Sequence, residues 1–495
     1  MRTRILFILG LLSLVTCSCG TGDSSLPSPV SYGEVTYNGE LKFRIQQNMD
    51  LLQSKDSLPW DICGLEILGL VSDASASRQA SSKLNGLIPS VPTRLNSRGF
   101  IGAEEAIDDG LLTVNGWMLK GLCAYFDMSS DRKALDWIGS ISNKLFLEER
   151  DSFKGSYSGV EGLVEAYRLL GTPEIREVVE GMLDSFLKSD PIATETRTDD
   201  FLSACRGLIR FGELSGEDKW ISEAENRWKL FREYGMTENF GSYECLGSYD
   251  SASDPCSVAD SYILSMKFWQ HTMDNSYLRD AHQIYYNALC HSQRGDGSFG
   301  SDSCPGDATG PELSVISDEI GWACSMKGAE ALATAAAYSW MREKNTFYVT
   351  SLRPSVLSSE GLELEIHTEY PFEGMVALTV NQNLLGDGVT VKFYIPDWAI
   401  LSGVQRNNQS IQAQIGKDGF LTFGKLKTGD RILMDYSYSP RQETVINEYN
   451  NKQGKARYFN GPFILSEEGK PIYHLMDTTV TKASGYHHQI IFNGL

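Results

Sequence analysis

The feature that most constrains the fold is a helical period that runs through most of the chain. Between residues 41 and 341, apolar side chains recur at intervals of three and four residues, the period of amphipathic helices. One local pattern returns four times, in which an aromatic-led helix end meets a short polar turn before a new helix begins. The copies are YFDMSSDRKALDW (125–137), YRLLGTPEIREVV (167–179), FGELSGEDKWISEA (211–224) and FWQHTMDNSYLRDA (268–281). Asp131, Asp218 and Asn275 stand about where the next helices need an N-cap acceptor.

Helix hairpins repeated at roughly 40–55 residues predict either an open solenoid or a closed ring of helix pairs. Six such hairpins would fill about 300 residues, which favours a closed (α/α)6 barrel. An open TPR-like array is the alternative, but the spacings are uneven and the segments between hairpins are long. Long loops collected at one end of a barrel usually build a functional site.

After residue 344 the pattern changes from helical to extended. β-branched and aromatic runs are separated by Gly, Asp and Asn, and several alternate in steps of two, which is typical of strands. Examples are GLELEIHTEY (361–370), VTVKFYIPDW (389–398) and DRILMDYSY (430–438). We therefore expect a mainly α chain with added β structure, in which a barrel over 41–343 is followed by an antiparallel β-sandwich over 344–495.

The N-terminal residues 1–19 have the layout of an export signal. Arg2 and Arg4 precede an apolar run over 5–15, which is too short to span a bilayer. The run ends in small residues and cysteine, as in a bacterial lipoprotein signal, so that Cys17 or Cys19 is the expected acylated residue. Residues 20–40 are the expected tether, which begins with a Gly/Ser/Pro-rich stretch. These features predict a protein that is lipid-anchored in the bacterial cell envelope and meets the membrane only through its anchor; an ordinary cleaved signal is the alternative.

Charge and cysteine content limit the function further. The chain has 64 acidic and 44 basic residues and a net charge of −20, a field that repels phosphate backbones. Nucleic acid is therefore not an expected partner. Ten cysteines in 495 residues are too few for a disulfide scaffold. The cysteines that matter should therefore bind metal or take part in chemistry.

Candidate chemistry lies in the loops that precede two predicted helices. TENFG (237–241) opens a Gly/Ser/Asp-rich loop that ends at Asp254 and Cys256, and DEIGWAC (318–324) precedes the second helix. Asp254 and Cys256 can point at one metal ion, Cys324 can join them, and mixed carboxylate and thiolate ligation suits zinc. Glu238 on the same rim could act as a general acid/base. The alternative is that the cysteines are buried structural residues and that Pro255 only starts a helix.

These motifs follow one another in a distinctive order. A Glu-x-Phe motif (238–240) is followed by an acid-x-Cys motif (254–256), by YNAL (286–289) and by a Cys motif before a small-residue helix. In the sandwich, VKFYIPDWA (391–399) and GFLTFGKLKTGDRILMD (419–435) continue the pattern. In this order, and along most of the mature chain, the sequence resembles glycoside hydrolase family 127. The resemblance implies the (α/α)6 barrel and β-sandwich of β-L-arabinofuranosidases.

The resemblance also implies roles for individual residues. In the family, a cysteine thiolate held on zinc attacks the anomeric carbon and a Glu protonates the leaving oxygen, so the configuration is retained. Glu238 matches that acid/base, Asp254 stands where a zinc-bound Glu is expected, and Cys256 matches a ligand. The paired cysteines fall on Ala323 and Cys324, which puts Ala323 at the nucleophile position and leaves Cys324 as a ligand. Shifting the register by one makes Cys324 the nucleophile but spoils the match downstream.

These assignments leave the zinc ligand set incomplete, because alanine can neither bind the metal nor attack carbon. A second departure concerns histidine. The first histidine of the chain is His271, so the sugar-binding histidines usual in the first half of the barrel are absent. Asp199 and Asp200 lie where a His-containing segment is expected.

Three functions are compatible with these residues. The first is a glycosidase of altered mechanism that acts on a terminal sugar of a plant or microbial oligosaccharide or polysaccharide. Glu238 is its acid, a second carboxylate from the rim is its base or nucleophile, and Trp322 flanks the site; the rim acids are Glu244, Asp250 and Glu319. The second is a relative that binds glycans without cleaving them. The third is another barrel enzyme, such as a polysaccharide lyase or an unsaturated-uronide hydrolase. The sequence carries no prediction of the oligomeric state.

Overall fold

The structure is a computed structural model. It describes residues 26–31, 33–55, 58–79, 81–237, 239–248, 253–300, 321–444, 456–464, 466–467 and 470–471. Cys17 and Cys19, the two candidate acylation sites, lie outside the described residues, and so does the predicted signal. None of the described helices combines the length and the apolar character that crossing a bilayer requires.

Along the described chain, helices alternate between an outer and an inner position. The outer helices are α1 Gly39–Ser54, α3 Ser82–Leu87, α5 Arg132–Ile141, α7 Pro173–Lys188, α9 Asp218–Tyr234 and α11 Asn275–Ile284. The inner helices are α2 Cys63–Ser77, α4 Asp109–Ser129, α6 Val160–Leu170, α8 Thr198–Ser215, α10 Pro255–Thr272 and α13 Trp322–Ser339. The remaining α-helix of the described residues, α12 Cys290–Ser292, is a single short turn.

The inner helices form a closed ring. Each packs on the next in chain order, from α2 through α4, α6, α8 and α10 to α13, and α13 packs back on α2. The outer helices lie against the outside of this ring, for example α9 on α8 and α11 on α10. The predicted (α/α)6 barrel is thereby confirmed and the open array is excluded. Because the chain alternates between outer and inner helices, the N-termini of the six inner helices lie at one end, which we call the loop end.

Glycine allows the inner helices to approach one another closely. A Cβ atom added to Gly162 of α6 would lie 1.9 Å from the backbone oxygen of Gly116 in α4. A Cβ atom on Gly64 of α2 would lie 2.3 Å from the backbone nitrogen of Met118, also in α4. No side chain fits at either position without moving a helix, so these contacts fix the spacing of the ring.

Two of the three predicted N-caps lie one residue away from the expected position. Asp131 is the cap of α5 and accepts the backbone N–H of Lys133. Asp218 and Asn275 are instead the first helical residues of α9 and α11. The caps are the residues before them, Glu217 and Asp274, and of these two only Asp274 accepts a capping hydrogen bond. Acidic or amide side chains stand at consecutive positions in both turns, so the sequence pattern alone could not separate them.

The C-terminal region consists mainly of two sheets. The strands are β1 Ser28–Pro29, β2 Val35–Tyr37, β3 Trp340–Glu343, β4 Thr346–Val349, β5 Ser355–Ser359, β6 Leu362–Thr368, β7 Met375–Asn383, β8 Thr390–Tyr394, β9 Ala399–Arg406, β10 Gln409–Ser410, β11 Phe420–Gly424 and β12 Arg431–Tyr438. The first sheet has the order β1-β3-β4-β8-β11, and the second β10-β9-β12-β7-β6-β5-β2. Smaller sheets follow, made of β13 Arg441–Thr444, β14 Ala456–Asn460 and β15 Phe463–Ile464, and of β16 Ser466–Glu467 and β17 Lys470–Pro471.

The alternation seen in the sequence matches the burial of these strands. On β6, Leu362, Leu364 and Ile366 are buried and belong to the same core as Val391 and Phe393 of the other sheet. Every pairing of the described strands is antiparallel except that of β4 with β8, which is parallel. The predicted arrangement of a barrel followed by a mostly antiparallel sheet region is therefore confirmed.

Two segments differ from their predicted assignment. Residues 28–37, expected to belong to the tether, contribute β1 and β2, which pair with β3 and β5. The buried side chains of Val35 and Tyr37 explain why this segment docks on the sheet. The barrel ends at Ser339 rather than at 343, because β3 already belongs to the first sheet.

Candidate functional site

One loop ties together two inner helices at the loop end of the barrel. The N–H of Thr198, at the start of α8, donates to the carbonyl oxygen of Glu244 at 2.8 Å. The N–H of Asp254, just before α10, donates to the carbonyl oxygen of Ser242 at 2.8 Å. Residues 239–248 therefore cross the N-termini of both helices. These contacts place the loop at the rim of the loop end, as the sequence predicted.

Asp254 begins helix α10 and lies in the wall of the site. It is the N-cap of the helix, with Pro255 as the first helical residue. Its carboxylate accepts the N–H groups of Cys256 and Ser257, both at 3.2 Å, and the hydroxyl of Ser257 at 2.5 Å. Only 8% of Asp254 is exposed. Pro255 therefore starts the helix, and Asp254 also lies close to Cys256; the two interpretations of this motif are compatible.

Asp254, Cys256 and Cys324 converge at one point. Their ligand atoms all lie within 4.8 Å of one another, and they form the one group of three or more such residues among those that the structure describes. Cys324 Sγ is 4.0 Å from Asp254 Oδ1. Cys256 and Cys324 are paired as a disulfide, which connects the first turns of α10 and α13. Cys324 is the third member of this group, and the neighbouring residue Ala323 does not belong to it.

The donor chemistry of this group fits zinc only when both cysteines are reduced. One carboxylate and two thiolates are ligands that zinc accepts, and three protein donors leave the open fourth position of a catalytic site. A disulfide offers no thiolate, so the paired form cannot hold the metal in this way. A disulfide between the two cysteines and zinc ligation by both of their thiolates would therefore exclude each other.

Several charges surround Asp254. Burial and the neighbouring Asp199 carboxylate raise the pKa of Asp254 to about 6, against the effect of its hydrogen bond with Ser257. Lys327, one turn after Cys324 in α13, and Arg197 also act to lower that pKa. Asp199 is itself held by Arg197, whose Nε donates to its carboxylate at 3.1 Å. The loop end thus contains a buried acidic group flanked by two cationic side chains.

The other predicted site residues occupy different environments. Glu244 is exposed and forms an ion pair with Arg197 at 3.1 Å. Trp322 is the first residue of α13 and half-buried, and the Lys55 ammonium lies 5.9 Å from its ring centroid. Glu238, Asp250 and Glu319 lie outside the described residues. The structure therefore places Glu244 and Trp322 at the loop end and gives no position for the other three.

A buried network of charges, which sequence reasoning missed, crosses the barrel interior below this site. We call it the charged septum; its members are Lys120, Glu161, Arg206, Asp260, Lys327 and Glu330. Arg206 contacts three carboxylates and lies 2.5 Å from that of Asp260, and Lys327 lies 2.7 Å from the same residue. Although burial opposes ionisation, Arg206 and Lys120 lower the pKa of Glu330 to about 2. Charged residues on otherwise apolar inner helices were the available sequence signal.

Four of the described cysteines outside the site, Cys63, Cys123, Cys205 and Cys290, are buried and behave as core residues. Burial raises the pKa of Cys63 to about 11, and burial also raises those of Cys123 and Cys205. Cys290 is buried as well, and its thiol lies 3.4 Å from Glu40 Oε1. A thiol that keeps its proton is a poor nucleophile. Neither these residues nor Cys245 joins the Asp254 group.

Comparisons with known proteins extend over most of the chain. Residues 346–438 match the family model of the beta-L-arabinofuranosidase GH127 middle domain. No curated protein matches the sequence. Among solved structures, a glycoside hydrolase is similar with a TM-score of 0.71 and 15% identity, over 89% of this chain and 83% of the other.

Two further solved structures are similar in the same way. A GH127 β-arabinofuranosidase has a TM-score of 0.67 and 15% identity, with 88% of this chain and 85% of the other covered. The GH127 β-L-arabinofuranosidase Ara127N-Se from Geobacillus stearothermophilus T6 has a TM-score of 0.64 and 14% identity, with coverages of 86% and 80%. At such identities the similarity establishes a shared fold.

Proposed function

We propose that this chain, a divergent member of glycoside hydrolase family 127 by its middle domain and its fold, is a glycosidase. It removes a terminal sugar from a plant or microbial oligosaccharide or polysaccharide. The observation that carries the proposal is the convergence of Asp254, Cys256 and Cys324 at the loop end of a closed (α/α)6 barrel. The names of the similar structures favour a β-L-arabinofuranoside or a related furanoside as the substrate.

In this proposal Glu238 is the general acid. Its neighbours Thr237 and Asn239 are both buried and hydrogen-bonded to each other through their side chains, so the chain on either side of Glu238 is anchored. Glu238 gives its proton to the glycosidic oxygen as the bond to the anomeric carbon breaks, and water supplies the hydroxyl that this carbon carries in the released sugar. Trp322 offers an apolar surface to the sugar beside Cys324. Asp250 and Glu319 remain candidates for further contacts with the sugar.

Zinc is the proposed cofactor of the reduced protein, held by Asp254, Cys256 and Cys324. When bound, it would keep the coordinated sulfur atoms as thiolates. Ala323 stands where the nucleophile is expected, so the proposal assigns this chain an altered nucleophile. In the alternative register of the resemblance, Cys324 itself would attack the sugar.

The test is turnover by the Glu238→Gln variant, with Glu244→Gln as its matched control. Both changes convert a glutamate of the same loop into its neutral isostere, and Glu244 is exposed and paired with Arg197. On nitrophenyl β-L-arabinofuranoside and on pectin-derived oligosaccharides, we expect wild type and Glu244→Gln to release sugar. Glu238→Gln should lose about 10²–10⁴-fold in kcat. An inactive wild type, or equal activity of all three proteins, contradicts the proposal.

Binding of glycans without cleavage is the second candidate function. The disulfide between Cys256 and Cys324, together with Ala323, favours it because the oxidised group contains no thiolate to attack a sugar. A binding protein would show unchanged affinity in Glu238→Gln and no turnover by any of the proteins. Isothermal titration with the same oligosaccharides, alongside the turnover assay, separates the two functions.

For the whole chain we propose a lipid anchor in the bacterial cell envelope. The support is the sequence pattern that ends at Cys17 and Cys19. Labelling with a clickable palmitate analogue should modify the wild-type chain. It should also modify one of the two variants Cys17→Ala and Cys19→Ala, and not the other. Labelling of neither wild type nor variants contradicts the anchor and favours a cleaved signal.

A further inference from the structure

A second cavity lies inside the barrel, on the side of the charged septum that faces away from the loop end. We call it the far cavity; its volume is about 350 Å³, and side chains of all six inner helices line it. Lys120, Glu161, Arg206 and Glu330 of the septum form its floor. Lys120 and Glu161 also line a small space on the loop-end side, so the septum separates the far cavity from the proposed zinc site. The side chain of Arg206 is 9% exposed and that of Asp127, near the end of α4, is 51% exposed, so the cavity opens to solvent where the inner helices end.

The wall of the far cavity has an apolar part and a charged part. The apolar part consists of the aliphatic side chains of Leu68, Ile209, Ile263 and Leu264. In the charged part, Arg210 donates from Nε to Glu165 at 2.7 Å and from Nη1 to Glu213 at 2.6 Å. Lys267 donates to the same Glu213 carboxylate at 3.0 Å. A ligand in this space therefore meets both an apolar surface and a set of fixed polar groups.

Polar atoms of this wall retain hydrogen-bonding capacity. Nη2 of Arg210 forms no hydrogen bond with any residue that the structure describes, so its N–H groups remain available. The Lys267 ammonium, which donates to Glu213, has further N–H groups. The hydroxyl of Thr334 donates to the carbonyl oxygen of Glu330 at 2.8 Å, which leaves the hydroxyl oxygen able to accept. Donors and acceptors thus stand together in the wall, as the recognition of hydroxyl groups requires.

The fixed charges around the far cavity cancel one another. The septum contains three cations and three carboxylates. The outer ion pairs are also balanced, and they join Arg168, Arg210 and Lys267 to Asp127, Glu165 and Glu213. Although burial opposes ionisation, Lys267 lowers the pKa of Glu213 well below its ordinary value, so this carboxylate is charged. An ionic ligand would add an uncompensated charge to a partly buried site, which is costly, whereas a neutral ligand would not.

We propose that the far cavity is a second ligand site, which binds a neutral polyhydroxy molecule of monosaccharide size. Its volume lies within the range of roughly 300–1,000 Å³ that is typical of small-molecule sites. The C–H groups of a sugar ring would pack on the apolar part of the wall. The hydroxyl groups would bond Lys267, Arg210 and Glu213, whose charges strengthen such hydrogen bonds. This site lies apart from the proposed catalytic group, and the proposal does not depend on glycosidase activity.

The test is isothermal titration of the full chain with the neutral sugars L-arabinose, D-xylose and D-galactose. We expect at least one of them to bind in the far cavity, at least about tenfold more tightly than the charged sugars D-galacturonate and D-galactosamine. Ala124 lines the cavity, so Ala124→Phe fills the space with a ring and should abolish this binding. Lys267→Met should weaken it about 10–100-fold, because the variant lacks the charge-assisted hydrogen bonds of the ammonium.

Lys219→Met is the matched control, because Lys219 is exposed and lies outside the cavity. It should bind the sugar as wild type does. Lys267→Met should remain folded, which its melting temperature reports. In that variant Glu213 still contacts Arg210 and His271, so its charge stays compensated.

Binding of none of the neutral sugars, or tighter binding of a charged sugar, overturns the proposal. Binding that both cavity variants leave unchanged lies elsewhere in the molecule and overturns it as well. The same proteins are assayed for release of sugar from nitrophenyl β-L-arabinofuranoside, where the cavity variants should keep wild-type turnover. A wild type that binds sugar in the far cavity without turnover contradicts the glycosidase proposal and leaves this one intact.

Discussion

Replacing Arg206 by methionine should destabilise the barrel strongly. The guanidinium lies at the centre of the charged septum, 2.9 Å from Glu161 and 2.5 Å from Asp260, and it also bonds Glu330. The septum contains three cations and three carboxylates, so the substitution leaves one buried carboxylate without a compensating charge. Methionine preserves most of the apolar stem of arginine, so the loss is mainly electrostatic. Breaking a buried pair in this way costs about 3–5 kcal/mol.

The measurement is the free energy of unfolding from urea titration, followed by tryptophan fluorescence at pH 7. Trp228 and Trp269 are fully buried in the barrel and report its unfolding. Because Arg206→Met combined with Glu330→Gln restores the charge balance, the double variant should lose less stability than the two single changes added together. Lys154→Met removes one partner of an exposed ion pair and should leave the unfolding curve unchanged. A loss below about 1 kcal/mol for Arg206→Met refutes a stabilising septum.

Two further outcomes are expected. Protein kept in reductant should bind about one zinc ion per chain, measured by mass spectrometry. Air-oxidised protein and the Cys256→Ser variant should bind none. Zinc bound to the oxidised protein would contradict the conclusion that the disulfide excludes the metal. Gly162→Ala places a methyl group 1.9 Å from a backbone oxygen and should lower the melting temperature, whereas Gly139→Ala, where nothing lies within 4 Å, should not lower it.

The architecture could be predicted because its causes are local and repeated. Each hairpin buries an apolar stripe that recurs every three or four residues, and the turn at Asp131 shows how one helix stops and the next begins. Because about six hairpins were expected, a closed ring of helices was the predicted arrangement. The sandwich strands were equally visible, since alternation on β6 follows directly from one buried and one exposed face.

Features that depend on distant partners could not be predicted. The segment 28–37 is short and Pro-containing, and only its pairing with strands more than 300 residues away makes it part of the sheets. The parallel pairing of β4 with β8 likewise depends on how the two strands meet. Asp254, Cys256 and Cys324 were predicted to meet because their loops precede two helices, and the resemblance implied the same. The disulfide between the two cysteines was not predicted, because it depends on how closely the first turns of α10 and α13 approach each other.

Three helices carry residues of both the site and the septum. Substitutions at different positions along these helices should therefore affect activity and stability differently. Helix α8 carries Asp199, which acts on Asp254, and further along Arg206; α10 carries Cys256 four residues before Asp260. On α13, Cys324 precedes Lys327 by three residues, so their side chains lie on the same face of the helix. Substitutions in the septum should therefore reduce both stability and activity, because they remove the support of the site. Substitutions in the first turns that spare the Asp254 cap and the disulfide should change activity more than stability, since the helices remain fixed by the charges beneath them.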